Sequence, residues 1–168
     1  MSFFPAPAAV AIIFNADQTQ LLLVKRKDIP IWVLPGGGIE SFETAEEALI
    51  REIEEETGYQ VEIKRQCAKY TPLNRLAALT YVFICHIKQG QAVLSKETSA
   101  INFYPLHQLP SNFFSIHQKW LEEALISTEI VYRPLNEVTY WACFKYLLRH
   151  PFQLMRYIFT RISMKTDF

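Results

Sequence analysis

The chain has 168 residues, half of them hydrophobic, enough for one well-buried domain with a small appendage and too little for two full domains. Seventeen acidic and seventeen basic residues cancel, so no global field points to nucleic acid or to a strongly charged partner. Locally the charges separate: residues 43–58 hold seven Glu against one Arg, and residues 131–168 hold six Lys or Arg against two acids.

The apolar start "AAVAIIF" has no Lys or Arg before it and runs on into "NADQTQLLLVKR", as a strand, turn and strand do and a leader does not. Residues 10–14 and 21–24 therefore predict a hairpin. "IPIWVLPGGG" predicts a short strand ending in a flexible loop. Residues 44–57 contain no Pro or Gly and predict a helix, with Gly58 at its C-terminal cap. "YQVEIKRQCAKY", "LAALTYVFICHI" and "AINFYPL" predict three further strands, with "KQGQ" a turn between the last two. "PSNFFSIHQKWLEEALI" predicts a second helix, capped by Ser111 or Asn112. Strands and helices are mixed rather than strictly alternating, which argues for an α+β or mixed-sheet α/β sandwich over a doubly wound fold.

From residue 136 onward the pattern changes. Tyr140, Trp141, Phe144, Leu147 and Leu148 recur at helical spacing, His150-Pro151 interrupts, and Met155, Ile158, Phe159 and Ile162 resume. Residues 129–168 thus read as an amphipathic, aromatic and basic helical extension to a domain at 1–128. Packing against the domain's own sheet, a homodimer interface or a cap over a cleft, and an anionic membrane surface all fit such helices, packing being preferred to the membrane. No apolar run reaches a bilayer span without a charge. Cys67, Cys85 and Cys143 are odd in number and sit in apolar contexts, which suits reduced thiols in an intracellular, cytoplasmic protein.

The stretch that carries chemistry is "REIEEETG", residues 51–58, where Glu52, Glu54, Glu55 and Glu56 crowd together. Carboxylates three or four apart on a helix repel by roughly a few tenths of a kcal/mol per pair. With about 100° per residue, Glu55 lies at about −60° and Glu56 at about +40° from Glu52, on one face, with Leu49, Ile53 and Phe42 bordering it. A hard cation would neutralise such a face. Oxygen-only donors with no nearby His or Cys suit Mg²⁺, or Mn²⁺, and Mg²⁺ usually works beside substrate phosphates. The glycines Gly36, Gly37 and Gly38 just ahead let the backbone approach that face.

The stretch "GGIESFETAEEALIREIEEETGY" resembles the Nudix box: Gly, five residues, Glu, seven residues, Arg-Glu, an aliphatic, any residue, Glu-Glu, any residue, Gly and an aliphatic. Gly37, Glu43, Arg51, Glu52, Ile53, Glu55, Glu56 and Gly58 fall on the pattern, and only Tyr59 departs, at the last aliphatic place. With "LLLVKR", "WVLPGG" and the late helix, the resemblance extends over roughly the first 128 residues. It implies an α/β/α sandwich whose loop-helix-loop hydrolyses a nucleoside diphosphate linked to another group. It also implies that Glu52, Glu55 and Glu56 are metal ligands, with a carbonyl of Gly36 or Gly37 nearby. Glu43 and Arg51 would brace the loop against the helix, Gly37 and Gly58 belonging to the same structural frame, and Arg51 would also count in the catalytic set.

For the general base, the MutT-like branch of the family places a Glu six residues before an aromatic that begins a strand. Glu97 stands six before Phe103, with Glu55 as the other candidate. Lys25 and Arg26 end a strand that in the family lies close to substrate, and either would reach a phosphate or simply end a solvated strand. Asn112 matches in position a base-reading Asn of that branch, and also makes a good helix cap, the preferred reading. Trp32 fits base stacking or plain packing. His86, His107, His117 and His150 do not cluster at metal-ligand spacing and read as strand, loop and helix-surface residues.

The resulting expectation is a Mg²⁺-dependent pyrophosphohydrolase acting on a small nucleotide, with nucleoside triphosphates preferred on the strength of Glu97 and Asn112. The other class left open is a Nudix domain that binds a nucleotide metabolite without turning it over. Nothing in the chain resembles a helix-turn-helix for nucleic acid.

Overall fold

The structure, a computed structural model, describes residues 5–139. The two helices proposed within residues 136–162 fall almost wholly outside that range.

β1 (Ala8–Phe14) and β2 (Gln20–Arg26) form the expected hairpin. Its turn is held by Asn15, whose side-chain oxygen accepts from the N–H groups of Thr19 and Gln20, both at 2.9 Å. β3 (Trp32–Val33) follows on the outer side of β2. Gly36–Gly38 are not the flexible loop the sequence suggested: they form a strand, β4, paired antiparallel to β1 with Ala8 opposite Gly38 and Val10 opposite Gly36. α1 spans Ala45–Thr57. β5 (Tyr59–Pro72), β6 (Thr80–Gly90) and β7 (Thr98–Pro105) come next, then α2 (Ser115–Ile126) and β8 (Val131–Leu135).

Among the described residues the strands make one mixed sheet, running β3-β2-β1-β6-β5-β8, with β4 added to β1 and β7 to β2. The β1–β6 and β5–β8 pairs are parallel and the others antiparallel. β1 and β2 are buried on both faces over most of their length, which explains their unbroken apolar runs. Ala9, Ala11, Ile13 and Leu22 pack with Leu49 and Ile53 of α1, while Val10, Ile12, Phe14, Leu21 and Leu23 pack with Trp120, Leu121 and Ala124 of α2. The fold is an α/β/α sandwich, as expected.

Three further expectations from the sequence need correction. Residues 131–135 are not part of a helical extension, because β8 extends the sheet at the edge of β5, from Val131 opposite Ala68 to Leu135 opposite Pro72. Neither Ser111 nor Asn112 caps the second helix; Phe114 takes the cap position with no side-chain hydrogen bond. Phe42 lies outside α1, at φ 74° and fully exposed, rather than on the helix beside Ile53. Cys67 and Cys85 are buried free thiols. No helix among the described residues is long and apolar enough to cross a membrane.

Candidate functional site

The site begins with the ends of α1. Thr44 accepts from the Glu47 N–H at 3.2 Å and Glu47 accepts from the Thr44 N–H at 2.8 Å, a reciprocal capping box. At the other end Gly58 adopts φ 75° and donates to Glu54. These ends fix the register that sets Glu52, Glu55 and Glu56 at i, i+3 and i+4.

β4 then crosses that face at close range. A Cβ on Gly37 would lie 2.3 Å from the Glu52 carboxyl carbon, and one on Gly36 would lie 2.3 Å from the Ala9 carbonyl oxygen, with Gly36 at φ 145°. At Gly36 only glycine fits, whereas a side chain at Gly37 would push the Glu52 carboxylate out of its present place. The Gly36 N–H donates to Glu56 Oε2 at 3.0 Å. Burial pushes the Glu56 carboxyl up to about 7, and the charges of Glu52 and Glu97 add to the rise while the Gly36 N–H and Arg26 oppose it.

Arg51 gathers three carboxylates. Its Nε and Nη2 donate to the two oxygens of Glu43 at 2.7 and 2.9 Å, its Nη1 donates to Glu52 at 3.0 Å, and Glu55 stands 3.5 Å from the same nitrogen. Nη2 also donates to the Gly38 carbonyl at 3.1 Å, so the one guanidinium ties the glycine strand, the loop and the helix together. The hydrogen bonds from Arg51, with the Glu40 N–H and the Arg51 charge adding to them, hold the Glu43 carboxyl down to about 2.

Among the described residues no three of His, Cys, Asp and Glu converge on one point. Glu52 turns beneath Gly37 toward Arg51, Glu56 takes the Gly36 N–H, and Glu55 is largely exposed beside Arg51. Glu52 and Glu55 thus share Arg51 while Glu56 is held by the Gly36 backbone. The donor set nonetheless suits a hard cation: oxygen ligands only, on one helical face, with the Glu56 pKa raised by burial and then by Glu52, beneath a strand of glycines that adds no side chain to the space.

Arg26 closes the other side. Asp28 engages it through both Nε (2.8 Å) and Nη2 (2.5 Å), a partner the sequence reading missed because it lies only two residues along a loop. Arg26 still acts on Glu56 and feels Glu97, so the structure brings Arg26, Glu56 and Glu97 into one electrostatic neighbourhood. Glu97 is exposed, and its backbone carbonyl accepts from the Lys27 N–H at 2.9 Å, which docks its loop against the end of β2. Lys25 lies over the Trp32 ring at 5.9 Å. Trp32 is buried edge-on against Tyr104, so it packs rather than presenting its face to a base. The Asn112 amide donates to the Pro30 carbonyl at 2.8 Å, which anchors a loop. The sequence reading also missed His117, taken for a surface residue: its Nδ1 accepts from the Leu34 N–H at 3.0 Å.

A family model described as the NUDIX domain matches residues 5–124. A Bacillus subtilis (strain 168) protein provisionally named an 8-oxo-dGTP diphosphatase is 40% identical over 103 residues, 61% of this chain and 68% of that one. An ADP-ribose pyrophosphatase of Methanocaldococcus jannaschii is 34% identical over 125 residues, 71% of this chain and 72% of that one. Among solved structures, a UDP-X diphosphatase aligns with a TM-score of 0.64 at 25% identity, over 77% of this chain and 66% of that one.

Proposed function

This chain belongs to the NUDIX family and is an enzyme acting on phosphoric anhydrides, and from that premise we propose that it is a Mg²⁺-dependent pyrophosphohydrolase of nucleoside triphosphates. The observation that carries the cation site is the approach of the glycine strand to two carboxylates of one helical face, with the Gly36 N–H on half-buried Glu56 at 3.0 Å and Gly37 directly over Glu52. Glu52, Glu55 and Glu56, with a carbonyl of Gly36 or Gly37, hold the metal. Once bound, a divalent cation there neutralises phosphate oxygens and lowers the pKa of an attacking water.

The remaining residues have distinct tasks. Arg51 keeps Glu52 and Glu55 aligned while its bond to Gly38 holds the glycine strand over them. Arg26 and Lys25, at the end of β2, attract and orient the phosphate chain. Glu97, exposed across from Glu56, takes the proton of the attacking water; Glu55 is the other group available for it. Asn112 lies on the loop ahead of α2, where the nucleoside end would reach.

The named activities of the three relatives share a nucleoside joined to a phosphoric anhydride, and they differ in what lies beyond it. Phosphate release with Mg²⁺ is therefore to be measured on ordinary and oxidised nucleoside triphosphates, ADP-ribose, nucleotide sugars and dinucleoside polyphosphates, beside Glu56→Gln. Turnover of triphosphates that is lost in the variant is expected. Turnover of ADP-ribose alone would keep the enzyme and reject the substrate, and silence from a folded, Mn²⁺-binding protein would point to a nucleotide outside the panel or to binding without turnover.

A further inference from the structure

β3 is hydrogen-bonded on both sides. β2 pairs with it antiparallel, and on its outer side the segment before α2 runs parallel to it, with Trp32 opposite Phe113. The rungs of that outer ladder alternate along β3. The Asn112 side chain donates to the Pro30 carbonyl, the Trp32 N–H donates to the Asn112 carbonyl at 3.1 Å, and the Phe114 N–H donates to the Trp32 carbonyl at 2.9 Å. The next rung would run from the Leu34 N–H to the Phe114 carbonyl. That carbonyl is taken, because Phe114 is the cap of α2 and its oxygen accepts from the Gln118 N–H at 3.0 Å. Leu34 is buried, and a buried N–H left without an acceptor is strongly disfavoured. His117, one turn into α2, supplies the acceptor.

We propose that His117 is a positioning residue for the candidate metal site: its Nδ1 completes the ladder where helix α2 begins and so fixes the strand that presents Gly36 to Glu56. The linkage is short. Leu34 and Gly36 flank Pro35, the bend between β3 and β4, and the Pro35 carbonyl accepts from the Ala11 N–H at 2.9 Å, so the bend is itself pinned to β1. Leu34 is held from the α2 side by His117, and Gly36 from the α1 side by the Glu56 carboxylate. The imidazole cannot swing away, since Trp120 stacks on it at 4.7 Å and Phe114 meets it edge-on at 5.0 Å. With Nδ1 accepting, the ring is neutral and its proton sits on Nε2. The effect on turnover rests on the hydrolase reading above; the coupling of His117 to Gly36 does not.

The test compares His117→Leu with His117→Asn, whose side-chain oxygen falls close to the place of Nδ1. Three quantities are read: amide hydrogen exchange at Leu34 and Gly36, affinity for Mn²⁺ followed by electron paramagnetic resonance, and kcat and KM with Mg²⁺. In His117→Leu, exchange at both amides is expected to quicken about tenfold or more, Mn²⁺ binding to weaken about threefold or more, and kcat to fall further than KM rises. His117→Asn restores all three. If Leu34 exchanges faster while Gly36 exchange and Mn²⁺ affinity stay within about twofold of wild type, His117 merely stabilises its helix and the proposal is overturned. Should His117→Leu not fold, His117→Gln, with its acceptor one methylene further out, replaces it, and equal behaviour of Gln and Asn variants rejects the idea. A wild-type protein inactive on every nucleotide but showing the Gly36 coupling would reject the hydrolase reading and support this one.

Discussion

The two helices face opposite sides of the same sheet and are held in opposite ways. α1 carries its own instructions at both ends: a capping box at Thr44 and Glu47, acidic residues Glu46 and Glu47 in its first turn, and a left-handed glycine at Gly58. α2 carries almost none. Phe114 caps it without a side-chain hydrogen bond, no acid occupies its first turn and no base its last. Its final carbonyls are satisfied from outside, by Arg65 of β5, which donates to Ala124 at 3.2 Å and Ser127 at 2.9 Å. Its middle is fixed by the stack of His117 on Trp120 and of Trp120 on Tyr70. A helix with strong local ends tolerates a hostile interior, and α1 has one: four carboxylates near its C-terminus, where the helix dipole also disfavours negative charge. A helix with weak ends must be placed by its neighbours, and α2 in return places them.

The sharpest way to break this contrast is to relieve the hostility of α1. Glu56→Gln keeps an oxygen for the Gly36 N–H and removes a half-buried ionisable group. Turnover with Mg²⁺ is expected to fall by about 100-fold or more, the scale of a lost metal contact, while metal-free stability above pH 7 rises by about 1–2 kcal/mol. Steady-state kinetics and urea unfolding at pH 8 measure the two. Full activity would remove Glu56 from the ligand set, and an unchanged stability would mean that its carboxylate carries no strain.

The same contrast explains what the sequence revealed. α1 and its site were legible because their determinants are consecutive: Gly36–Gly38, the Glu43 brace, the spacing of Glu52, Glu55 and Glu56, and Gly58. The hairpin at Asn15 was legible for the same reason. What escaped was set by partners distant in the chain. His117 looked like a surface residue since its partner, Leu34, lies 83 positions away. β4 looked like a loop since glycines have no strand preference, and only pairing with β1 makes them one. β8 was folded into a helical extension because its five residues carry little alternation, and its place follows from β5 beside it. Phe42 shares the helical angle of Ile53 only on paper, because the helix begins after Thr44 and the turn before it breaks the periodicity.

A second measurement sets the two helices against each other through pH. Without metal, folded Glu56 keeps its proton up to about pH 7, whereas an unfolded chain releases it near 4.5. The folded state binds more protons across that window, so stability falls as pH rises through it, by up to about 3 kcal/mol. His117 acts in the other direction. Burial holds its pKa down to about 3 against 6.5 in the unfolded chain. There the unfolded state binds more protons, so stability falls as pH drops from about 6.5 toward 3. The opposing slopes overlap between about 4.5 and 6.5. Urea unfolding from pH 4 to 8 with chelator present should show Glu56→Gln losing the decline on the alkaline side and His117→Asn losing the decline on the acid side. Saturating Mg²⁺ should mimic Glu56→Gln in the wild type. Identical profiles for wild type and both variants would remove the proposed strain from one helix and the buried acceptor from the other.

The smallest effect concerns the place where the self-sufficient region departs from its own rules. Phe42 sits just before the Glu43 brace at φ 74°, a conformation that costs a residue with a side chain roughly 1–2 kcal/mol. Its ring is fully exposed, so it gains nothing from packing. Phe42→Gly removes the steric cost but gives the unfolded chain more freedom, worth about 0.4–1 kcal/mol in the opposite sense. The net expectation is a gain of about 0.5–1 kcal/mol in urea unfolding, with Mn²⁺ affinity unchanged because Glu43 keeps its two bonds to Arg51. A loss of stability would mean that the ring is covered in solution, and size-exclusion chromatography of wild type beside the variant would then show whether a second copy covers it. A gain with weakened Mn²⁺ binding would mean that the left-handed turn, rather than the Arg51 brace, sets the position of the glycine strand over Glu52.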